Sequence, residues 1–294
     1  MTTPDRELVA AIAPTMKQRN AFFDALFYDV GALSDQEKDE LSPLADQEGS
    51  IIVVSPASSR RRIAHYPGAR EFLDAKGDSL RALAIAGVGS SVLGTAALAR
   101  NVANAYGIEV AGIVSGYGVS DMVAEAIGGW FFYGAVDAIR HEVRESVNRW
   151  KQFSEMAGAG TRKSAARVSS PVSDINALDE ILKASPPNLS LLIGHSKGDL
   201  MLDFALERFA QGVGTGTHPY FEHLRVVTLG AVTDLPPRFR HVHQFIGEID
   251  WFGGMNSRLQ VPHTRIPNAW HHLNTALPFH LPVEAVLKHH LDIG

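Results

Sequence analysis

A serine framed by glycines, Gly194-His195-Ser196-Lys197-Gly198, is where residue types and spacing in this 294-residue chain point most directly to nucleophilic chemistry. A lone G-x-S-x-G string is cheap in a sequence with 26 glycines, so its setting must give it weight. It directly follows the apolar run Leu191-Leu192-Ile193 and precedes an amphipathic stretch from Leu200 to Ala210, the strand-turn-helix context that a nucleophile elbow requires. The glycines remove side chains that would clash in so tight a turn. The hydroxyl then sits at a helix N-terminus, where the dipole favours developing negative charge. With no cysteine in the chain, no thiolate can take that role.

A serine hydroxyl is a weak nucleophile until a base takes its proton, and the base in turn needs an orienting acid. On a sheet of this kind the partners are expected in the order serine, acid, histidine, each just after a strand. The run Val242-His243-Gln244-Phe245-Ile246-Gly247-Glu248-Ile249-Asp250 ends on Asp250, the expected acid, with Glu248 two residues earlier as the alternative. Beyond it lie His263, His271, His272, His280, His289 and His290. His289 and His290 fall in a terminal helix, His263 in a connecting loop, and His280 between prolines in a structural setting. His271 is the expected base and its neighbour His272 the alternative. The oxyanion would be met by the backbone N–H of Lys197 and by one from the glycine loop Gly87-Val88-Gly89, either Val88 or Gly89.

Gly194-His195-Ser196-Lys197-Gly198 resembles the G-H-S-x-G elbow of the α/β-hydrolases, especially the class 3 lipases. Gly247-Glu248-Ile249-Asp250-Trp251-Phe252 loosely resembles their acid segment, and His271-His272-Leu273-Asn274-Thr275-Ala276 is similar to their histidine segment, with His271 in the catalytic place. The resemblance spans residues 80 to 290, with the elbow as its specific part. It implies hydrolysis of a carboxylic ester through an acyl-enzyme, with Ser196, Asp250 and His271 as the triad. Lys197 and Asp199 depart from the usual small or apolar elbow neighbours, and the acid segment lacks a proline.

The elements that must position these groups follow from periodicity. Apolar runs at Leu83–Ala86, Ile108–Val114, Leu189–Ile193, Leu224–Leu229, Val242–Ile246 and Thr264–Ile266 read as strands, and Ala96–Tyr106, Ile175–Ala184, Leu200–Ala210 and Ala285–His290 as helices. Such alternation predicts an α/β fold, a doubly wound and mainly parallel sheet of α/β-hydrolase type. Residues 80–294 form the expected main domain, carrying a cap-like helical insert at 119–187. Within that insert Met122–Ile139 is strongly apolar, and its Trp130 and Phe131 are expected to bind substrate as an acyl wall. Residues 1–79 are expected to be a helical addition packed on that domain, containing a capped helix at Ser34–Leu41 and a strand at Ile51–Val54.

Composition narrows the partners. Lys plus Arg number 27 against 32 Asp plus Glu, a net charge of −5, without the basic surplus that a phosphate backbone attracts. No nucleic-acid partner is expected. Asp121, Glu125 and Asp137 interrupt the apolar stretch and argue against an integral membrane segment, leaving surface association open. The charged N-terminus lacks a secretory core, so the expected location is cytoplasmic. No metal or organic cofactor is implied. The expected substrate is a small-molecule or lipid-like ester, or an intracellular polyester. Two rivals come from other classes: a catalytically inactive hydrolase-fold binding or scaffold protein, and a dinucleotide-binding protein reading Gly87-Val88-Gly89-Ser90-Ser91-Val92 as a phosphate loop, although Val92 stands where glycine or alanine is needed.

Overall fold

Runs such as Ile51-Ile52-Val53-Val54 and Leu191-Leu192-Ile193 carry apolar side chains on both faces, so they can only be strands covered on both sides. The computed structural model of the chain, which describes residues 24–42, 48–59, 63–87, 90–115 and 173–293, places them in such a sheet. Strands β1 (Ile51–Val54), β2 (Ala64–Tyr66), β3 (Ala82–Ile85), β4 (Val110–Ile113), β5 (Leu191–His195), β6 (Arg225–Leu229), β7 (His241–Gly247) and β8 (Thr264–Ile266) are ordered β2-β1-β4-β3-β5-β6-β7-β8. From β4 to β8 all pairings are parallel, and β1 runs antiparallel to both of its neighbours.

Eight helices are named here: α1 (Asp35–Leu41), α2 (Ala69–Lys76), α3 (Val92–Tyr106), α4 (Ser173–Ala184), α5 (Lys197–Val213), α6 (Pro219–His223), α7 (Trp251–Met255) and α8 (Val283–His290). Strand alternation sorts the buried side chains into two cores. Ile52, Ala84, Ile193 and Val227 pack with α3 and α8 on one face. Ile51, Leu83, Leu192 and Val226 pack with α2, α4 and α5 on the other. The helix after β3 and the helix after β5 therefore leave toward opposite faces although the two strands are neighbours. A reversal of this kind is the place where doubly wound sheets bind ligands, outside the carboxyl ends of the strands.

The expected α/β sheet is present. The expected boundary at residue 79 needs correction, because β1 lies inside the sheet between β2 and β4 and shares both cores; β1 and β2 are strands of the main fold and not an addition to it. Strand β2 and helix α2 were not anticipated, since His65 and the polar stretch Arg70-Glu71 hide their periodicity. The insert at 119–187 falls outside the described residues up to 172, and its remainder includes α4, part of the sheet's helical layer. Among the described residues no helix is long and apolar enough to cross a membrane.

The segment before β1 is fastened to α3. Ser34 caps α1 in a reciprocal capping box with Glu37, and the same Glu37 carboxylate accepts a hydrogen bond from Arg100 on α3, whose side chain is only 5% exposed. Burial alone would raise the Glu37 pKa, but hydrogen bonds from the Ser34 amide and from Arg100 outweigh it and hold the carboxyl below its ordinary range. Replacing Glu37 with Gln leaves a nearly buried guanidinium without its counter-charge and should cost about 2–3 kcal/mol in urea unfolding at neutral pH. Because the folded pKa is lowered, that difference is complete above the carboxylate range and should shrink as the pH falls through it. A difference that does not change with pH would contradict the assignment.

Candidate active site

Strand β5 passes into α5 through a single residue. Ser196 has φ 57 and ψ −118, a backbone conformation that a residue with a side chain adopts at a cost of about 1–3 kcal/mol. The flanking glycines make the turn feasible. A Cβ on Gly198 would lie 2.2 Å from the Ile85 carbonyl oxygen, and one on Gly194 would lie 2.8 Å from the Asp199 amide. The elbow therefore presses directly against the end of β3. The Ser196 amide is anchored by donating to the Leu229 carbonyl at 2.9 Å, and the half-buried side chain is turned out at the carboxyl ends of the strands.

Two loops after later strands meet it there. Asp250 follows β7 and caps α7, its Oδ1 accepting from the Gly253 amide at 2.6 Å. Its Oδ2 lies 2.8 Å from His271 Nδ1, and His271 Nε2 lies 3.0 Å from Ser196 Oγ. The side chains of Asp250 and His271 are 0% and 2% exposed, so the pairing is removed from water. These partners assign the tautomer: Nδ1–H donates to Asp250, and Nε2 is left to accept from the serine hydroxyl. The rings of Phe252 and Phe27 pack edge-on against the imidazole with centroids 4.7 Å and 6.0 Å away.

The alternatives go elsewhere. His272 turns its Nε2 to the Pro278 carbonyl at 3.0 Å, and Glu248 is exposed and accepts from the Asn268 amide. Asn268, at φ 54, makes the left-handed turn between β8 and the histidine loop, a conformation that asparagine tolerates better than most residues. Lys197 opens α5 directly after Ser196, which puts its backbone N–H in the first turn of that helix. Val88, Gly89, Trp130 and Phe131 lie outside the described residues.

The loop that carries His271 is tied down almost residue by residue. The Ala269 carbonyl accepts from Ile249, the Trp270 amide donates to Phe279, the His272 carbonyl accepts from Leu281, and the Leu273 amide donates to Phe27. The His271 carbonyl accepts from His195 Nε2 at 2.9 Å. His195 is wholly buried, and its pKa is pushed down to about 3, by burial first and by the neighbouring His271 second. It is therefore neutral. Since Nε2 must carry the proton to donate, Nδ1 accepts, and its donor is the Tyr28 hydroxyl at 2.9 Å. Tyr28 Oη in turn accepts from the Gly87 amide at 2.5 Å.

Sequence reasoning assigned no role to His195, Tyr28 or Asp24. A signal for the first was available, because alternation in β5 puts His195 on the same buried face as Leu191 and Ile193, where an imidazole must find partners. Tyr28 and Asp24 have no local signature, since their partners lie 59 and 67 residues away. Asp24 is buried at the N-terminus of α3 and accepts from the Ser91 amide at 3.0 Å and from the Ser91 hydroxyl. This carboxylate stands where a dinucleotide would present its pyrophosphate, and Glu109, the acid downstream of the loop at a plausible distance for binding a ribose, precedes β4 instead of ending it. Both observations disfavour the dinucleotide reading. Comparison with protein-family models, curated proteins and solved structures finds no match.

Burial raises the Asp24 pKa to about 7, against the opposing effect of hydrogen bonds from Ser91 and Gly94. Between the ordinary value of 3.8 and 7 the folded chain holds a proton that the unfolded chain has released, so this group's contribution to stability falls as pH rises through that window. Asp24→Asn keeps an acceptor for the Ser91 amide and does not titrate. Relative to the wild type, the variant should gain about 2–4 kcal/mol in urea unfolding between pH 4 and pH 8. A constant difference over that range would show that Asp24 keeps an ordinary pKa.

Proposed function

We propose that this chain is a serine hydrolase of α/β-hydrolase type that cleaves carboxylic esters through an acyl-enzyme on Ser196. The observation that carries the reading is the continuous relay from Ser196 Oγ to His271 Nε2 at 3.0 Å and from His271 Nδ1 to Asp250 Oδ2 at 2.8 Å, set on a strained strand-to-helix turn. The expected chain order of serine, acid and histidine supports it, as does the placement of all three just beyond β5, β7 and β8.

In this reading Ser196 Oγ bonds to the ester carbonyl carbon while its proton passes to His271 Nε2. Asp250 stabilises the resulting imidazolium without itself taking the proton. The tetrahedral oxyanion faces the Lys197 amide, and the helix dipole of α5 adds to that donor. Collapse breaks the bond to the alcohol oxygen, which leaves with the proton from His271. Water then attacks the acyl carbon, gives its proton to His271, and the carboxylic acid departs as the proton returns to Ser196. The apolar side chains of Ile249, Trp251 and Met255 are exposed beside Asp250, which supports an apolar, lipid-like ester over a small polar one. An inert scaffold would need no base within reach of the serine, and His271 is within reach.

A fluorophosphonate should phosphonylate the wild type at one site, read as a single added mass on the Ser196 peptide. Ser196→Ala should abolish the label and lower p-nitrophenyl ester turnover by about 10⁴-fold or more. A wild type that stays unlabelled under conditions that saturate a known serine esterase would overturn the proposal.

A further inference from the structure

Helical residues 24–27 and Tyr28 form one turn of chain whose two polar side chains, Asp24 and Tyr28, are four positions apart and so point the same way. Both reach the glycine loop, and they reach opposite ends of it. Tyr28 Oη accepts from the Gly87 amide at 2.5 Å, on the side where β3 ends. Asp24 accepts from the Ser91 amide at 3.0 Å and from its hydroxyl, on the side where α3 begins. Gly87 itself is close to the nucleophile, since a Cβ there would lie 3.0 Å from Ser196 Cβ.

Tyr28 has a second task. Its only hydroxyl proton goes to His195 Nδ1, which fixes the imidazole in the Nε2–H tautomer, and that proton goes to the carbonyl of His271. The three hydrogen bonds therefore run in one direction, from the Gly87 amide through Tyr28 and His195 to the backbone of the residue that faces Ser196. Each group in the relay is buried and each bond satisfies a polar atom that would otherwise cost about 1–3 kcal/mol. Neither the Tyr28 nor the His195 side chain hydrogen-bonds to Ser196 Oγ, so the two bear on the site through where they hold other atoms.

We propose that Asp24 and Tyr28 are positioning residues for ester cleavage at Ser196, clasping both flanks of the glycine loop and, through His195, setting the His271 loop against the nucleophile. The inference rests on the acyl-transfer reading of Ser196. It makes the chain segment before β1 part of the reaction machinery. A shift of about 1 Å between base, nucleophile and oxyanion donors costs on the order of 10²-fold in rate, which is the scale expected when the clasp is opened.

The test compares fluorophosphonate labelling rates and the kinetics of p-nitrophenyl butyrate hydrolysis for the full-length wild type, Tyr28→Phe, Asp24→Ala, Asp24→Asn and Tyr220→Phe, at a temperature where all are folded by circular dichroism. Tyr220 is the control: it is equally buried, its hydroxyl donates to the Pro186 carbonyl at 2.8 Å, and it lies in the opposite core. Tyr28→Phe and Asp24→Ala should lose about 10- to 100-fold in labelling rate and kcat with KM changed less than about twofold. Asp24→Asn should stay within about threefold of wild type, and Tyr220→Phe should melt lower but react at the wild-type rate. Equal rates for Tyr28→Phe and Tyr220→Phe would overturn the proposal while leaving the acyl-transfer reading intact. An unreactive wild type would overturn both.

Should Tyr28→Phe fail to fold, His195 offers the same test from the other end. His195→Gln puts an amide N–H near the place of Nε2 and keeps the donor to the His271 carbonyl, whereas His195→Asn keeps an acceptor near Nδ1 and loses that donor. The Gln variant should label faster than the Asn variant. Equal rates in the pair would overturn the relay.

Discussion

A backbone conformation that serine does not favour sets the geometry of this site. Ser196 sits at φ 57 because the chain must reverse from β5 into α5 within one residue, and it can do so because Gly194 and Gly198 let the elbow sink against the end of β3. The hydroxyl is then lifted out of the sheet while its amide stays bonded to β6 through Leu229. The strain is held by packing on both sides, α3 with α8 on one face and α4 with α5 on the other. Strain of this kind persists only where the surroundings over-determine it. Asp199, in the first turn of α5, adds to that: its buried carboxyl accepts from the Leu229 amide at 3.3 Å, and burial pushes its pKa well above the ordinary value. A carboxyl here couples the first turn of α5 to the end of β6, which gives this elbow neighbour a physical role.

Much of the sheet was legible because parallel strands covered on both faces are nearly continuous apolar runs, and their ends are marked by glycines. The readings at Ile51–Val54, Leu83–Ala86, Leu224–Leu229 and Val242–Ile246 each meet an observed strand within a residue or two. Short polar elements were not legible. Strand β2 carries Ala64-His65-Tyr66, and α7 is five residues opened by Asp250, so neither shows a period long enough to detect. Position in the sheet was legible least, and β1 shows why. Nothing local to Ile51-Ile52-Val53-Val54 says that it lies antiparallel beside β4, because that pairing is set by residues about 60 positions away.

Of the site, the acid and base partners could be ranked by order along the chain, and the geometry brings Ser196, Asp250 and His271 together while turning Glu248 and His272 away. The supporting shell could not be ranked. Tyr28, His195 and Asp24 act on backbone groups, and an amide or carbonyl looks the same at every position of a sequence. Their importance follows from accounting for buried polar groups, each of which needs a partner. In this fold the accounting leads from the Gly87 amide beside Ser196 to the His271 loop through the segment before β1.

The central claim is that Ser196 carries the acyl group. Rapid mixing of the full chain with p-nitrophenyl butyrate, followed by acid quench and peptide mass analysis, tests it directly. The account predicts a burst of p-nitrophenolate that approaches one equivalent of protein and a butyryl adduct confined to the peptide containing Ser196. Ester turnover without an adduct on Ser196, or with the adduct on another residue, would contradict it.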